Sequence, residues 1–219
     1  MSYKKSNTTI DKILVESRRL FYEKGYVATH YDDLSAATYL SPGLIHYHFR
    51  KKEKIAAAIY NDLLEESLQI CKDIFSDKND YLVVKAISIR LSWRLFYENE
   101  HFRRFLIEIS EDGIPTKYSE ENFNEYFQFE SEQYSLFKSS QYIRLISRLS
   151  GAISVETILS IGKKELDMSE EEIADTEIKL IYSLMGFHEE KIIEIIEVSR
   201  NLFQNYKVIM EDNFKIKTT

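Results

Sequence analysis

What confines this chain most is its lack of backbone punctuation. Two prolines and six glycines occur in 219 residues. That is too few for many short strands and their turns, so the chain is expected to be all-α. Between these breakers, apolar residues recur three or four apart, the spacing of one helix face. Ile10, Ile13, Leu14, Leu20 and Phe21 form the first stripe, over Thr9 to Lys24. Thr8 and Asp11 are placed to cap it and Gly25 to end it. A short helix is expected from His30 to Ala37, with Thr29 as its cap. Ser41-Pro42 is a strong start signal, because serine is a favoured N-cap and proline is best tolerated at the first helical position. The helix it opens should end near His48. Two short helices across a three- or four-residue turn make a helix-turn-helix pattern.

A long helix should run from Lys52 to Phe75, with Ile55, Ile59, Leu63, Leu64, Leu68 and Ile74 on its inner face. Further helices are expected over Tyr81–Asn99, His101–Glu111, Ser119–Lys138 and Gln141–Leu166, with a break at Gly113-Ile114-Pro115. Ser169 and Glu172 form a second capping box, and that helix should end near Gly186. The last is expected from Glu189 to Asp212. The organisation read from this is a three-helix N-terminal unit, residues 1–51, and a larger helical bundle, residues 52–219, joined through the long helix.

Charge divides the chain the same way. The whole carries −7, which alone argues against a nucleic-acid partner. Residues 1–54 nevertheless carry +4 and the remaining 165 carry −11. A basic head on an acidic body points to a polyanion partner for the head only. The single cysteine, Cys71, forbids an intramolecular disulfide and fits a reducing cytoplasm. The polar start of the chain lacks a signal-peptide core, and no run of 18 apolar residues is seen, so no membrane span is expected. There is no Gly-rich phosphate loop, GxSxG elbow or HExxH pair, so no catalytic residue, cofactor or metal is expected.

The segment Ile13 to Ile55 resembles the DNA-binding domain of the TetR family of transcriptional regulators. The resemblance is carried by Leu20-Phe21-Tyr22-Glu23-Lys24-Gly25-Tyr26-Val27-Ala28-Thr29, by Asp32-Asp33-Leu34-Ser35-Ala36-Ala37, by Ser41 to Phe49, and by Lys51-Lys52-Glu53. It implies a homodimer that reads double-stranded operator DNA with the helix opened at Ser41. The DNA-binding set is then Thr29, Tyr31, Ser41, Pro42, Gly43, Leu44, His46, Tyr47, His48 and Lys52. Pro42 or Leu44 suits a thymine methyl and His46 a base edge. By the resemblance, Tyr47, His48 and Lys52 are phosphate clamps. Ile45 and Phe49 should point inward, towards Phe21 and Leu34. The sequence departs from the family at His46, where Tyr is usual, at Tyr31, in place of a small hydroxyl residue, at Lys51, in place of a Ser or Asn cap, and at Tyr39, where many members have Gly.

The resemblance also implies an effector pocket in the body. Aromatic residues crowd three of its helices, and Trp93, Phe96, Tyr97, Phe105, Tyr126 and Phe127 are the expected lining, beside Phe123, Phe129, Tyr134 and Phe137. Such walls suit a small, apolar or amphipathic molecule. Glu108, Glu111 and Asp112 read as a solvated face. The C-terminal helices carry apolar stripes (Ile173, Leu180, Ile181, Leu184 and Met185, then Ile192 to Tyr206) and are the expected dimer contact. The function implied is a repressor released from its operator by the ligand. The same parts serve an activator, and a helical interaction module or a bundle enzyme are the competing classes. No nucleophile, base and orienter come together in the sequence to favour the enzyme.

Overall fold

The local signals in the sequence are mostly honoured. In the computed structural model, Ser41 opens its helix by accepting the Leu44 amide at 3.3 Å, and Pro42 takes the first helical position. Ser169 and Glu172 cap each other's backbone, and Gly186 closes that helix at φ 91°. The structure describes the backbone of residues 2–76, 79–118, 120–136 and 138–218, without side chains at 2–7 and 120–122; Ser119 and Phe137 lie outside the described residues. Among the described residues the helices are α1 (Ser2–Lys24), α2 (Tyr31–Thr38), α3 (Pro42–His48), α4 (Lys52–Phe75), α5 (Tyr81–Glu98) and α6 (Glu100–Glu111). They continue with α7 (Ile114–Tyr118), α8 (Glu120–Gln133), α9 (Ser140–Gly162), α10 (Glu170–Met185) and α11 (Glu189–Phe203).

Several boundaries differ from expectation. Helix α1 begins at Ser2, so Thr8 is not a cap; nothing from Ser2 to Asn7 breaks a helix, and propagation adds a hydrogen bond for each residue fixed. The cap of α2 is His30, whose amide donates to the Asp33 carboxylate at 2.9 Å. The break at Gly113 holds a short helix of its own, α7. Helices α8 and α9 stop before Ser135 (φ 53°) and Lys164 (φ 61°), residues in the left-handed region that an α-helix does not enter.

The largest difference is at the end of the chain. The helix expected to reach Asp212 stops at Phe203, and an antiparallel hairpin follows: β1 (Val208–Glu211), a 3-10 turn (Asp212–Phe214) and β2 (Lys215–Thr218). Its register pairs Val208 with Thr218 and Glu211 with Lys215. Alternation explains it. Val208 is buried and Ile209 exposed, and Ile216 is buried between exposed Lys215 and Lys217, a period of two. Asn213 turns the chain at φ 62°, a conformation asparagine tolerates better than most residues.

In the body, α5 packs against α4, α10 and α11. The stripe Ile192, Ile195, Ser199 and Phe203 of α11 is buried, so this helix fills the chain's own core. Helix α9, with mean hydropathy 1.3, is long and apolar enough by length and composition to cross a bilayer. Its inner face, Ile143, Ile146, Ser150 and Gly151, is buried and packs in a bundle with α6, α8 and α10. Its outer face exposes Tyr142, Leu145 and Leu149 beside Arg144 and Arg148.

Candidate nucleic-acid interface and ligand cavity

Helix α3 is anchored from below and open above. Ile45, Leu34 and Phe21 are fully buried, and Phe49 packs on the same core. On the other side Ser41, Pro42, Gly43, Leu44, His46 and Tyr47 are exposed, Tyr47 at 78%. A Cβ added at Gly43 would meet nothing within 4 Å, so this end of the helix admits a close approach from outside. His48 is half-buried and packs edge-on to Tyr47. Tyr31 is also half-buried: it sits edge-on to His46, and its hydroxyl donates to the Phe49 carbonyl at 3.3 Å. The turn before α3 holds Tyr39 at φ 54° and 89% exposed, so the glycine-type conformation is present without glycine.

Two residues of the expected DNA-binding set are used internally. Thr29 is fully buried, and its hydroxyl donates to the Gly25 carbonyl at 2.7 Å. Lys52 points back into the chain. Its ammonium donates to the carbonyls of Tyr26 (2.7 Å), Thr29 (2.8 Å) and Val27 (3.3 Å), and it lies over the Tyr26 ring. An ammonium has three protons, and all three have carbonyl partners. Partial burial holds Lys52 below the ordinary lysine range. The exposed cations beside α3 are Arg50 and Lys51, which the sequence reading passed over. Their signal was position, immediately after the helix.

The loop that Lys52 grips is also held by α6. Glu108 accepts the Val27 amide at 3.0 Å, Asp112 accepts the Tyr26 hydroxyl at 2.9 Å, and Arg104 donates to the Tyr22 carbonyl at 2.6 Å. Glu108 and Asp112 therefore fasten the head to the body and are not merely a solvated face. Gly25 lies at φ 95°, and a Cβ there would fall 2.8 Å from the Glu108 carboxylate. The C-terminal hairpin completes this joint. Phe214 is fully buried, with its ring centroid 5.0 Å from Phe105, 5.1 Å from Tyr22 and 6.2 Å from Phe102. Arg18 of α1 donates to the Phe214 carbonyl at 2.8 Å and to Glu66 of α4 at 2.6 Å.

Behind the joint lies a cavity of about 130 Å³. Trp93, Phe96, Tyr126 and Phe127 line it as expected. Tyr97 and Phe105 do not: the Tyr97 hydroxyl donates to the Met168 carbonyl, and Phe105 stacks on Phe21 in the joint. Helix α4 contributes Tyr60, Leu63 and Leu64, α6 contributes Phe102 and Leu106, and α9 contributes Ser150, Ser154 and Ile158. Helices α4 and α6 thus touch both cavity and head. Two carboxylates lie at or behind the wall. Glu130 is fully buried and pairs with Lys85 at 2.5 Å. Glu177 accepts Trp93 Nε1 at 2.6 Å and Ser154 Oγ at 2.5 Å; burial pushes its carboxyl above the ordinary glutamate range, and these two bonds oppose that. The sequence reading missed Glu177, because nothing local marks a glutamate on an amphipathic helix as inward-facing.

Residues 13–59 match the family model described as bacterial regulatory proteins, tetR family. No curated sequence matches the chain. Among solved structures, RolR in complex with its ligand resorcinol aligns with a TM-score of 0.62 at 15% identity, over 89% of this chain and 95% of that one. RolR without ligand gives 0.60 at 14% identity, over 85% and 96%. CprB, a TetR family protein from S. coelicolor A3(2), gives 0.48 at 17% identity, over 92% and 99%. The match to bacterial regulatory proteins of the tetR family is thus carried by residues 13–59, on a chain that shares the fold of RolR.

Proposed function

We propose that the chain is a one-component repressor that leaves its operator when a small apolar or amphipathic molecule fills the cavity. Residues 1–51 are the DNA-reading head and 52–219 the effector-binding and dimerising body. The observation that carries this is the two-sided character of α3: Ile45 is fixed in the core while Ser41 to Leu44, His46 and Tyr47 face outward. A helix presented in this way fits a major groove with its first residues at base edges. Tyr47, His48, Arg50 and Lys51 then meet phosphates.

The cytoplasmic partner is double-stranded DNA with two half-sites, so two heads are needed about 34–36 Å apart. We assign the dimer contact to the outer faces of α9 and α10, where Tyr142, Leu145, Leu149 and Leu180 are exposed. Two helices from each copy then make a four-helix bundle. The stripe of α11 does not serve, because it is spent inside the protomer. RolR is named with resorcinol as its ligand, and a small aromatic effector suits the aromatic walls here. Occupancy would shift α4 and α6 and thereby the inclination of the head. A ligand that prefers the non-binding state by about 3 kcal/mol weakens DNA binding roughly 150-fold.

Mobility shift on the DNA upstream of the gene tests the reading. Arg50→Ala and Lys51→Ala should each weaken binding to all sequences and lower the salt slope by about one, whereas His46→Ala should relax preference at one base pair. Unchanged operator affinity in all three would remove α3 from the interface.

A further inference from the structure

We infer that the cavity selects an aromatic molecule bearing a hydrogen-bond donor, a hydroxyl or an amine, and rejects the same ring system carrying a carboxylate. This rests on the reading of the cavity as the effector site. It starts from an imbalance. The cavity wall is mostly apolar and aromatic; of its polar residues, Ser88 and Ser92 turn their hydroxyls to backbone carbonyls of their own helix, while Glu177, Ser154 and Ser150 come together. Ser150 and Ser154 are one turn apart on α9 and share a face. Ser154 is engaged, because its hydroxyl meets both Glu177 and the Ser150 carbonyl. Ser150 is not: its Oγ is buried, the residue is 3% exposed, and the hydroxyl has no hydrogen-bond partner. A buried polar atom left unpaired costs about 1–3 kcal/mol, so an empty site carries a cost that a bound polar group removes.

Glu177 sets the sign of that group. Each carboxyl oxygen accepts one hydrogen bond, from Trp93 or from Ser154, and has lone-pair capacity left for another. Among the described residues the one cation on the wall, Lys85, is committed elsewhere: it pairs with Glu130 and lies over the Phe127 ring at 4.2 Å. A ligand O–H or N–H therefore finds an acceptor at Glu177 and a neighbour at Ser150. A ligand carboxylate would be brought beside Glu177 with no uncommitted cation on the wall to offset the repulsion, in a site too apolar to screen it. The same aromatic walls favour a protonated amine, through attraction of the cation to ring faces.

Three probes of one size isolate the effect: 2-naphthol, 1-naphthylmethylamine and 2-naphthoate, titrated into the full-length protein by calorimetry or naphthyl fluorescence. The naphthol and the amine should bind, and the naphthoate should bind at least tenfold more weakly. Glu177→Gln keeps the shape and removes the charge, so it should bring the naphthoate within threefold of the naphthol. Ser150→Ala should weaken the naphthol several-fold. Naphthoate binding as tightly as naphthol to the unaltered protein overturns the selectivity and leaves the cavity reading standing. If no probe binds, and Leu63→Trp, which fills the cavity, changes nothing, then the cavity reading fails and the selectivity with it.

Discussion

The joint between head and body and the cavity behind it are built from the same materials, buried rings with a few charges, yet their polar groups are used differently. In the joint, each charge is spent on the neighbouring backbone or on an opposite charge: Lys52 on three carbonyls, Arg104 on Tyr22, Glu108 on the Val27 amide, Arg18 on Glu66 and Phe214. In the cavity, Ser150 lacks a partner and Glu177 lacks a cation. The Nε atoms of Arg18 and Arg104 are also buried without a partner, but each of these side chains still makes at least one bond across the joint, whereas the Ser150 hydroxyl makes none; a group with no bond at all leaves room for a visitor. On the proposed function, the contrast separates the part that would transmit a displacement from the part that would receive a ligand, and α4 and α6 run through both.

Substitutions should respect the same division. The largest effect is expected from Phe214→Ala, which empties a fully buried ring site in the joint. It should cost about 3–5 kcal/mol in urea unfolding. Lys52→Met keeps the aliphatic stem and strips three carbonyls of their partner; a loss of about 2–3 kcal/mol is expected. Ser150→Ala tests the other side of the comparison. It removes an unpaired buried hydroxyl, so thermal unfolding should show a gain of about 1 kcal/mol. A loss of similar size there would mean that the Ser150 hydroxyl is bonded in the folded protein, and the contrast would collapse.

The smallest effect is a pH dependence. Burial raises the Glu177 carboxyl above its unfolded range. At low pH, folded and unfolded chains both hold the proton. As pH rises through the ordinary glutamate range the unfolded chain releases it first, so the folded state loses stability. Glu177→Gln removes this proton. Its melting temperature relative to the unaltered protein should therefore climb as pH rises through and above the ordinary glutamate range; a flat difference would show that Glu177 titrates alike in both states.

The head was legible in sequence because its instructions are local. Ser41-Pro42 caps and starts one helix, Gly25 ends another, and the inward residues Ile45 and Leu34 follow from helical spacing. Even there, exposure was misjudged wherever a side chain had a distant partner. Thr29 and Lys52 look like surface polar residues until the carbonyls of the folded loop are in place. In the body, the apolar stripes predicted helices well, and four of six expected cavity residues line it. Phe105 and Tyr97 went astray because an aromatic stripe does not say which neighbour its helix will meet. The helix expected to reach Asp212 runs over the first strand of the hairpin, because Val208 to Met210 is too short for two periods to be told apart.

Arg18 and the carbonyl it holds at Phe214 stand 196 positions apart. At translation rates of about 5–20 residues per second, that spacing is on the order of 10–40 s of synthesis. During that interval the three leading helices can assemble on a growing chain without the ring that later wedges between Tyr22 and Phe105. If the proposed function holds, a half-made polypeptide thus owns its groove-reading helix before it owns the contact that ties that helix's unit to the rest.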